Sequence, residues 1–145
     1  QSRSSAASDV YKRQELCGIK KIEEIIIPHK ENILCNKIQI CINRNVDIIL
    51  IIGPHAITHI KDVIPNAISK SGAKIIRFGI PVEPGNLLLL SKFKSSNKDI
   101  YIIGMPSCAK SPKENGLDWV LWRILCNINF KNSNLNELSV GGLIK

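Results

Sequence analysis

Strand-length apolar runs alternate with stretches of helical periodicity from one end of this chain to the other. That alternation restricts the fold more than any other feature, because it is the signature of helices packed on a mostly parallel sheet. Residues 21–27 stop at Pro28 and read as a strand. Residues 31–43 then space Leu34, Ile38, Cys41 and Ile42 along one face of an amphipathic helix. Residues 47–52 are short, continuous and β-branched, the pattern of a strand covered on both faces. Asp62 stands as N-cap for a helix over 63–69, with Pro65 in the first turn, where backbone N–H groups have no intrahelical acceptor, and Gly72 closes it. Residues 73–78 predict a third strand, and 87–93 with 100–103 predict a β-hairpin joined by 94–99. The last helix opens on the strongest local signal, with Ser111 as N-cap, Pro112 at the first helical position and Glu114 at the third. Leu117, Val120, Leu121, Ile124 and Leu125 form its buried stripe, and the helix reaches about Asn127. Gly116 sits within it at a cost of about 1 kcal/mol relative to alanine, so another part of the chain is expected to press on its backbone. The expected fold class is α/β, a mostly parallel sheet with an added β-hairpin.

Residues 4–14, SSAASDVYKRQ, are identical to the translation of a common sequencing adapter, so 1–14 read as an adapter artefact or a disordered tail. The remaining 15–145 suffice for one domain with its own core and not for two. The formal net charge is +8, of which Arg3, Lys12 and Arg13 lie in the stretch set aside. The other lysines are scattered, apart from Lys92, Lys94 and Lys98 around a turn. No array of aromatic residues accompanies them for bases to stack on, so nucleic acid is not an expected partner. A mild positive field suits an anionic small ligand. No apolar run approaches the roughly 18 residues of a membrane span, so no membrane partner is expected and the chain reads as cytoplasmic. The five cysteines, Cys17, Cys35, Cys41, Cys108 and Cys126, are odd in number and form no C-x-x-C pair. That argues against a disulfide framework and against a zinc site, and all but Cys108 read as small core residues.

In an open α/β sheet, ligands bind outside the carboxyl ends of the strands. Three loops leave strands with the glycine and proline content that lets backbone approach a ligand: 53–62, 79–85 and 104–111. The third leads into the helix start at Ser111, where unpaired N–H groups, with Lys110 and Lys113 beside them, favour an anion. Asp62 supplies an acceptor for Mg²⁺ or a hydroxyl as well as a cap. Cys108 has no His or Asp at a spacing that would make it a nucleophile, so no catalytic residue is assigned. His55 and His59 stand four apart without a third ligand and His29 is isolated, so no metal site is expected.

The same loops carry a family resemblance. GPHAITHIKDVIP at 53–65, GIPVEPGNLLLL at 79–90 and GMPSCAKSPKENGLDWVL at 104–121 closely resemble the molybdopterin-binding domain of molybdenum cofactor cytidylyltransferase-like proteins, over about Lys20 to Ile144. More distantly, Lys61-Asp62-Val63-Ile64-Pro65 is similar to the Arg-Asp-Val-Thr-Pro segment of molybdopterin adenylyltransferases, whose aspartate belongs to the active site. Pro84-Gly85-Asn86 and Gly104-Met105-Pro106 are similar to the Pro-Gly-Lys and Gly-Leu-Pro loops that line the pterin site of molybdopterin molybdotransferases. The resemblance implies a three-layer α/β/α fold and molybdopterin or the molybdenum cofactor as ligand. The binding residues it implies are Gly53, Asp62, Pro84, Gly85, Asn86, Pro106, Ser107, Cys108 and Lys110. It further implies that a strand and helix precede Glu15 and that a nucleotidyltransferase domain follows Lys145, so that the full-length protein is an enzyme and 15–145 its binding module. The adenylyltransferases carry Thr-Gly-Gly-Thr-Gly where this chain has Gly53-Pro54-His55-Ala56-Ile57, and their acidic pair corresponds to His29 and Lys30. A two-aspartate Mg²⁺ site is therefore not expected. The alternatives are a divergent Mg-ATP-dependent molybdopterin nucleotidyltransferase and a degenerate domain that docks a transferase or, as a homo-oligomer, a second copy of itself.

Overall fold

The computed structural model describes residues 15, 18, 19, 22–128 and 135–139. Cys17, the 1–14 stretch, Lys21 and the glycine pair near the end lie outside the described residues. In chain order the elements are helix α1 (Glu31–Asn43), strand β1 (Ile48–Ile51), helix α2 (Val63–Lys70), strands β2 (Lys74–Phe78), β3 (Leu89–Lys94) and β4 (Asp99–Gly104), a 3-10 turn at Ser107–Lys110, helix α3 (Gly116–Leu125) and a second 3-10 turn at Glu137–Ser139.

The strands form one sheet in the order β1-β4-β3-β2. β1 pairs with β4 in parallel, whereas β3 is antiparallel to both β4 and β2. The expected α/β class and the β3–β4 hairpin are present, but a mostly parallel sheet is not. The reason lies in the connection between β2 and β3. Parallel neighbours need a crossover of a dozen or more residues, usually helical, and the ten residues 79–88 contain no helix, so β3 can only return beside β2 in reverse.

Both faces of the sheet are apolar. Leu90 and Ile103 join Leu117, Val120 and Leu121 of α3 in one buried cluster, with Ile48 and Leu50 packed on it. Leu89 and Ile102, one residue away on each strand, join Leu34 and Ile38 of α1 and Ile64, Ala67 and Ile68 of α2 in another, with Ile49 packed on it. This is the period-two alternation of a strand placing successive side chains on opposite faces. β1 thus contributes to both clusters, yet it stands at the margin of the sheet with three of its four residues only half-buried.

Several sequence expectations change in detail. Residues 22–27 form no strand, and Ile26 is 85% exposed. In an extended segment the consecutive Glu23 and Glu24 would put a carboxylate on each face, one of them against apolar neighbours. Instead Glu23 reaches Arg44 at the end of α1 through two hydrogen bonds of 3.0 and 2.7 Å. Leu125 and Cys126 are exposed, not buried. Their exposure follows from the end of α3, where the chain turns at Cys126 and Asn127, the latter at φ +55°.

The largest correction concerns the start of α3. Ser111 caps no helix. It follows the 3-10 turn, its Oγ accepts a long 3.3 Å bond from Lys113 N–H, and α3 begins at Gly116. The cap is Asn115, whose side chain accepts from Leu117 N–H at 2.9 Å while Asp118 Oδ2 accepts from Asn115 N–H at 2.8 Å, a reciprocal capping box. Both side chains are buried and each accepts from a backbone N–H of the first turn, whereas Pro112, Lys113 and Glu114 of the Ser-Pro-Lys-Glu stretch are exposed.

Candidate functional site

β2 is antiparallel to β3, and β3 to β4, so β2 runs in the same direction as β4 and its parallel partner β1. The loops 53–62, 79–85 and 104–111 therefore leave the same edge of the sheet. They also touch. Met105 N–H donates to Ile51 O at 2.9 Å, joining the third loop to the end of β1. A Cβ on Gly104 would meet Ile57 Cδ1 at 2.5 Å, so the first loop lies over the end of β4. On the other side Gly116 N–H donates to Pro84 O at 2.9 Å. Gly85, at φ +120°, lies so close to the backbone of Gly116 that a Cβ on it would stand 2.5 Å from Gly116 N. Gly116, the first residue of α3 and not an interior one, is thus accounted for by the close backbone packing that was expected there. The Glu83–Pro84 peptide in this loop is cis.

The same contacts alter the anion site expected at the third loop. Gly116 N–H is held by Pro84 O, Leu117 N–H by Asn115 Oδ1 and Asp118 N–H by Asn115 O. With these groups already bonded inside the protein, the start of α3 has little left to offer a phosphate.

The first loop is built around Asp62. Its φ of −66° and ψ of 167° are those of an N-cap, but its side chain makes no cap bond to α2. Oδ2 instead accepts from Thr58 N–H at 3.1 Å and His59 N–H at 3.0 Å, folding the loop back on itself. Lys61 N–H donates to His59 Nδ1 at 3.0 Å, and Asn66 Nδ2 to Lys61 O at 3.0 Å, which tie the same turn to α2. Beside it is a hollow of ≈ 230 Å³ lined by His29, His55, Ala56, Ile57, Thr58, Asp62, Val63 and Ile64. Ligand sites for drug-sized molecules span about 300–1,000 Å³, so this one suits part of such a molecule, a single ring system, better than the whole. A hollow of ≈ 310 Å³ at the opposite edge is lined by Lys98, Asp99, Tyr101, Ile124 and Asn127. There Lys98 is paired with Asp47 and Asp99 with Lys92, so its charges already have partners.

No family model, curated protein or solved structure matches the chain. The site therefore rests on its own geometry. Of the nine residues singled out by sequence, only Asp62 lines the hollow. Gly53 lies beneath it, since a Cβ there would meet Ile64 Cδ1 at 2.9 Å and His29 Cε1 at 3.6 Å. Pro84 and Gly85 hold the start of α3, with Gly85 buried and Asn86 exposed beside it. Pro106 is buried, Ser107 exposed, and Cys108 and Lys110 half-buried on the 3-10 turn, where Cys108 O accepts from Asn115 Nδ2 at 3.4 Å. From the sequence, His55 was set aside because it and His59 lack a third ligand, and His29 because it is isolated. The segment before α1 brings His29 to the first loop, a meeting no local spacing reveals. Among the described residues no group of three or more His, Cys, Asp or Glu is placed to hold a metal ion. No helix there is long and apolar enough to cross a membrane.

Proposed function

We propose that this chain is the molybdopterin-binding module of a molybdenum cofactor cytidylyltransferase-like protein, acting in molybdenum cofactor biosynthesis in the cytoplasm. The observation that carries this reading is the common edge. β1, β2 and β4 run one way, so the three loops whose sequences bear the family resemblance leave the sheet together, the first meeting the third at Gly104 and the second meeting the start of α3 at Gly116. A rim of turns at the carboxyl ends of strands is where α/β sheets bind ligands. The two apolar clusters on opposite faces of the sheet support the three-layer α/β/α fold that the reading implies.

Within the rim the residues divide the work. Asp62 and the hollow offer an acceptor and apolar walls to the pterin, while Lys110 and Lys113 supply positive charge for its phosphate. Gly85 and Pro106 act as supports that let the loops approach one another. The one carboxylate in the hollow suits a binding role better than two-carboxylate metal chemistry. Transfer of the nucleotide belongs, on this reading, to the domain expected beyond Lys145. Titrating the chain with molybdopterin and following pterin fluorescence tests the proposal. Saturable binding that weakens as salt is raised, as a phosphate contact requires, is expected. A folded chain with no affinity for molybdopterin refutes it.

A further inference from the structure

Asn115 and Gly116 form the one Asn-Gly pair in the chain. In an open peptide such a pair reacts with itself, because glycine has no Cβ to hinder attack by its backbone nitrogen. Gly116 N, losing its proton, bonds to Asn115 Cγ, and the side-chain amide leaves as ammonia. Water then opens the cyclic imide at either carbonyl, giving aspartate or an isoaspartate whose backbone runs through the side chain. The fold nevertheless keeps both residues. A Cβ on Gly116 would meet Ile80 Cδ1 at 2.7 Å, and Gly85 packs on its backbone. Asn115 is a buried cap whose N–H donates to the buried Asp118 carboxylate at 2.8 Å. Aspartate in its place would bury a second carboxylate beside the first.

In the folded chain three features oppose ring closure. Gly116 N–H donates to Pro84 O at 2.9 Å, so its proton is engaged. Asn115 Oδ1 accepts from Leu117 N–H at 2.9 Å, while Nδ2 donates to Lys113 O at 3.2 Å and to Cys108 O at 3.4 Å, which fixes the side-chain amide. The ψ of Asn115 is 179°, which sets Gly116 N opposite Asn115 N about the Cα–C bond and staggers it to Cβ. The imide needs those two atoms eclipsed.

We infer that Asn115–Gly116 is a self-modification site, held shut by the contact between the second loop and α3 and deamidated when that contact opens. Both products damage the joint. Aspartate sets like charges together beside Asp118, and isoaspartate lengthens the backbone between the cap and Gly116, which displaces Gly116 N–H from Pro84 O. A chain held open thus loses the ability to close again, an irreversible step that follows unfolding. The site needs no ligand and is independent of the binding-module reading.

Incubating the wild-type chain at mildly alkaline pH, folded in buffer and unfolded in guanidinium chloride, provides the test. Trypsin cuts after Lys113 and Arg123, and mass spectrometry of the peptide 114–123, with an isoaspartate assay, follows the conversion. Conversion of the unfolded chain is expected to be at least about tenfold faster, because a reaction confined to the open form proceeds in the folded chain only as that form is populated. Equal rates in the two states overturn the inference, as does an Asn115 that stays intact in denaturant. Asn115→Ser keeps a capping oxygen and has no amide to lose. After a long hold in denaturant, the wild-type chain is expected to recover its circular dichroism on dilution only in the fraction not converted, while Asn115→Ser recovers fully. Equal losses in the two chains would refute the damage assigned to the products. If Asn115→Ser does not fold, the two wild-type rates decide alone.

Discussion

Asn115 and Ser111 show at the scale of single residues how local pattern and tertiary context compete. Ser-Pro-Lys-Glu has every local feature of a helix start, and nothing within that short stretch reveals that Pro84 O waits for Gly116 N–H or that Asn115 is buried. The signal for the true start was present, since Asn115 stands three residues before Asp118, but the serine four positions earlier looked equally complete. Gly116 was the legible residue, because a glycine within a helical pattern demands a reason and Gly85 supplies it. Asn115→Ala is expected to destabilise the protein by about 1–2 kcal/mol, the range of a lost N-cap. Ser111→Ala, at a half-buried position outside any helix cap, is expected to cost less than Asn115→Ala. Urea denaturation of the two variants measures the difference, and the reverse ranking would place the helix start where the sequence pattern suggests.

Among the elements, α1 was predicted to its last residue and β3–β4 as a hairpin, because amphipathic periodicity and a polar turn between two apolar runs are local features. The direction of β3 relative to β2 was also within reach, since a helix-free connection of this length excludes a parallel pair. The failure of 22–27 to pair depends on where Glu23 and Glu24 would point, and that turns on the position of β1 in the sheet. α1 and α2 are joined at their polar margin by Glu31, which forms an ion pair with Lys70 and accepts from Asn66 Nδ2 at 3.1 Å. The hydrogen bond from Lys70, with that from Asn66 behind it, holds the Glu31 carboxyl below its ordinary value of 4.5. A folded-state value lowered in this way contributes stability that is fully present above pH 4.5 and is lost as the pH falls from there through the lowered value. The partner Lys70 is raised above 10.5 by the same contact, so its share is present below that pH and lost above. Glu31→Gln is therefore expected to lower the melting temperature slightly at pH 7, with the gap from wild type closing as the pH is brought well below 4.5. A gap that persists unchanged in acid would assign the effect to packing, not to charge.

For the molecule as a whole, the sequence indicated three turns rich in glycine and proline and an edge on which they should meet. Their meeting depends on strand direction, which apolar runs alone do not encode. It follows here from the one reversed strand, β3, lying between β2 and β4 and leaving the other three codirectional. His29 joins the site only because α1 packs beside α2, and the helix start once expected to hold an anion is closed by Pro84 and Asn115. The rim thus has an apolar, hydrogen-bonding end at Asp62 and a basic side at Lys110, with structural glycines between them. Amide hydrogen exchange with and without saturating molybdopterin tests this arrangement most directly. Slowed exchange in 53–62, 79–85 and 104–111 together, with 95–98 at the opposite edge unchanged, is the predicted result. Protection that appears at 95–98, or in none of the three loops, would contradict it.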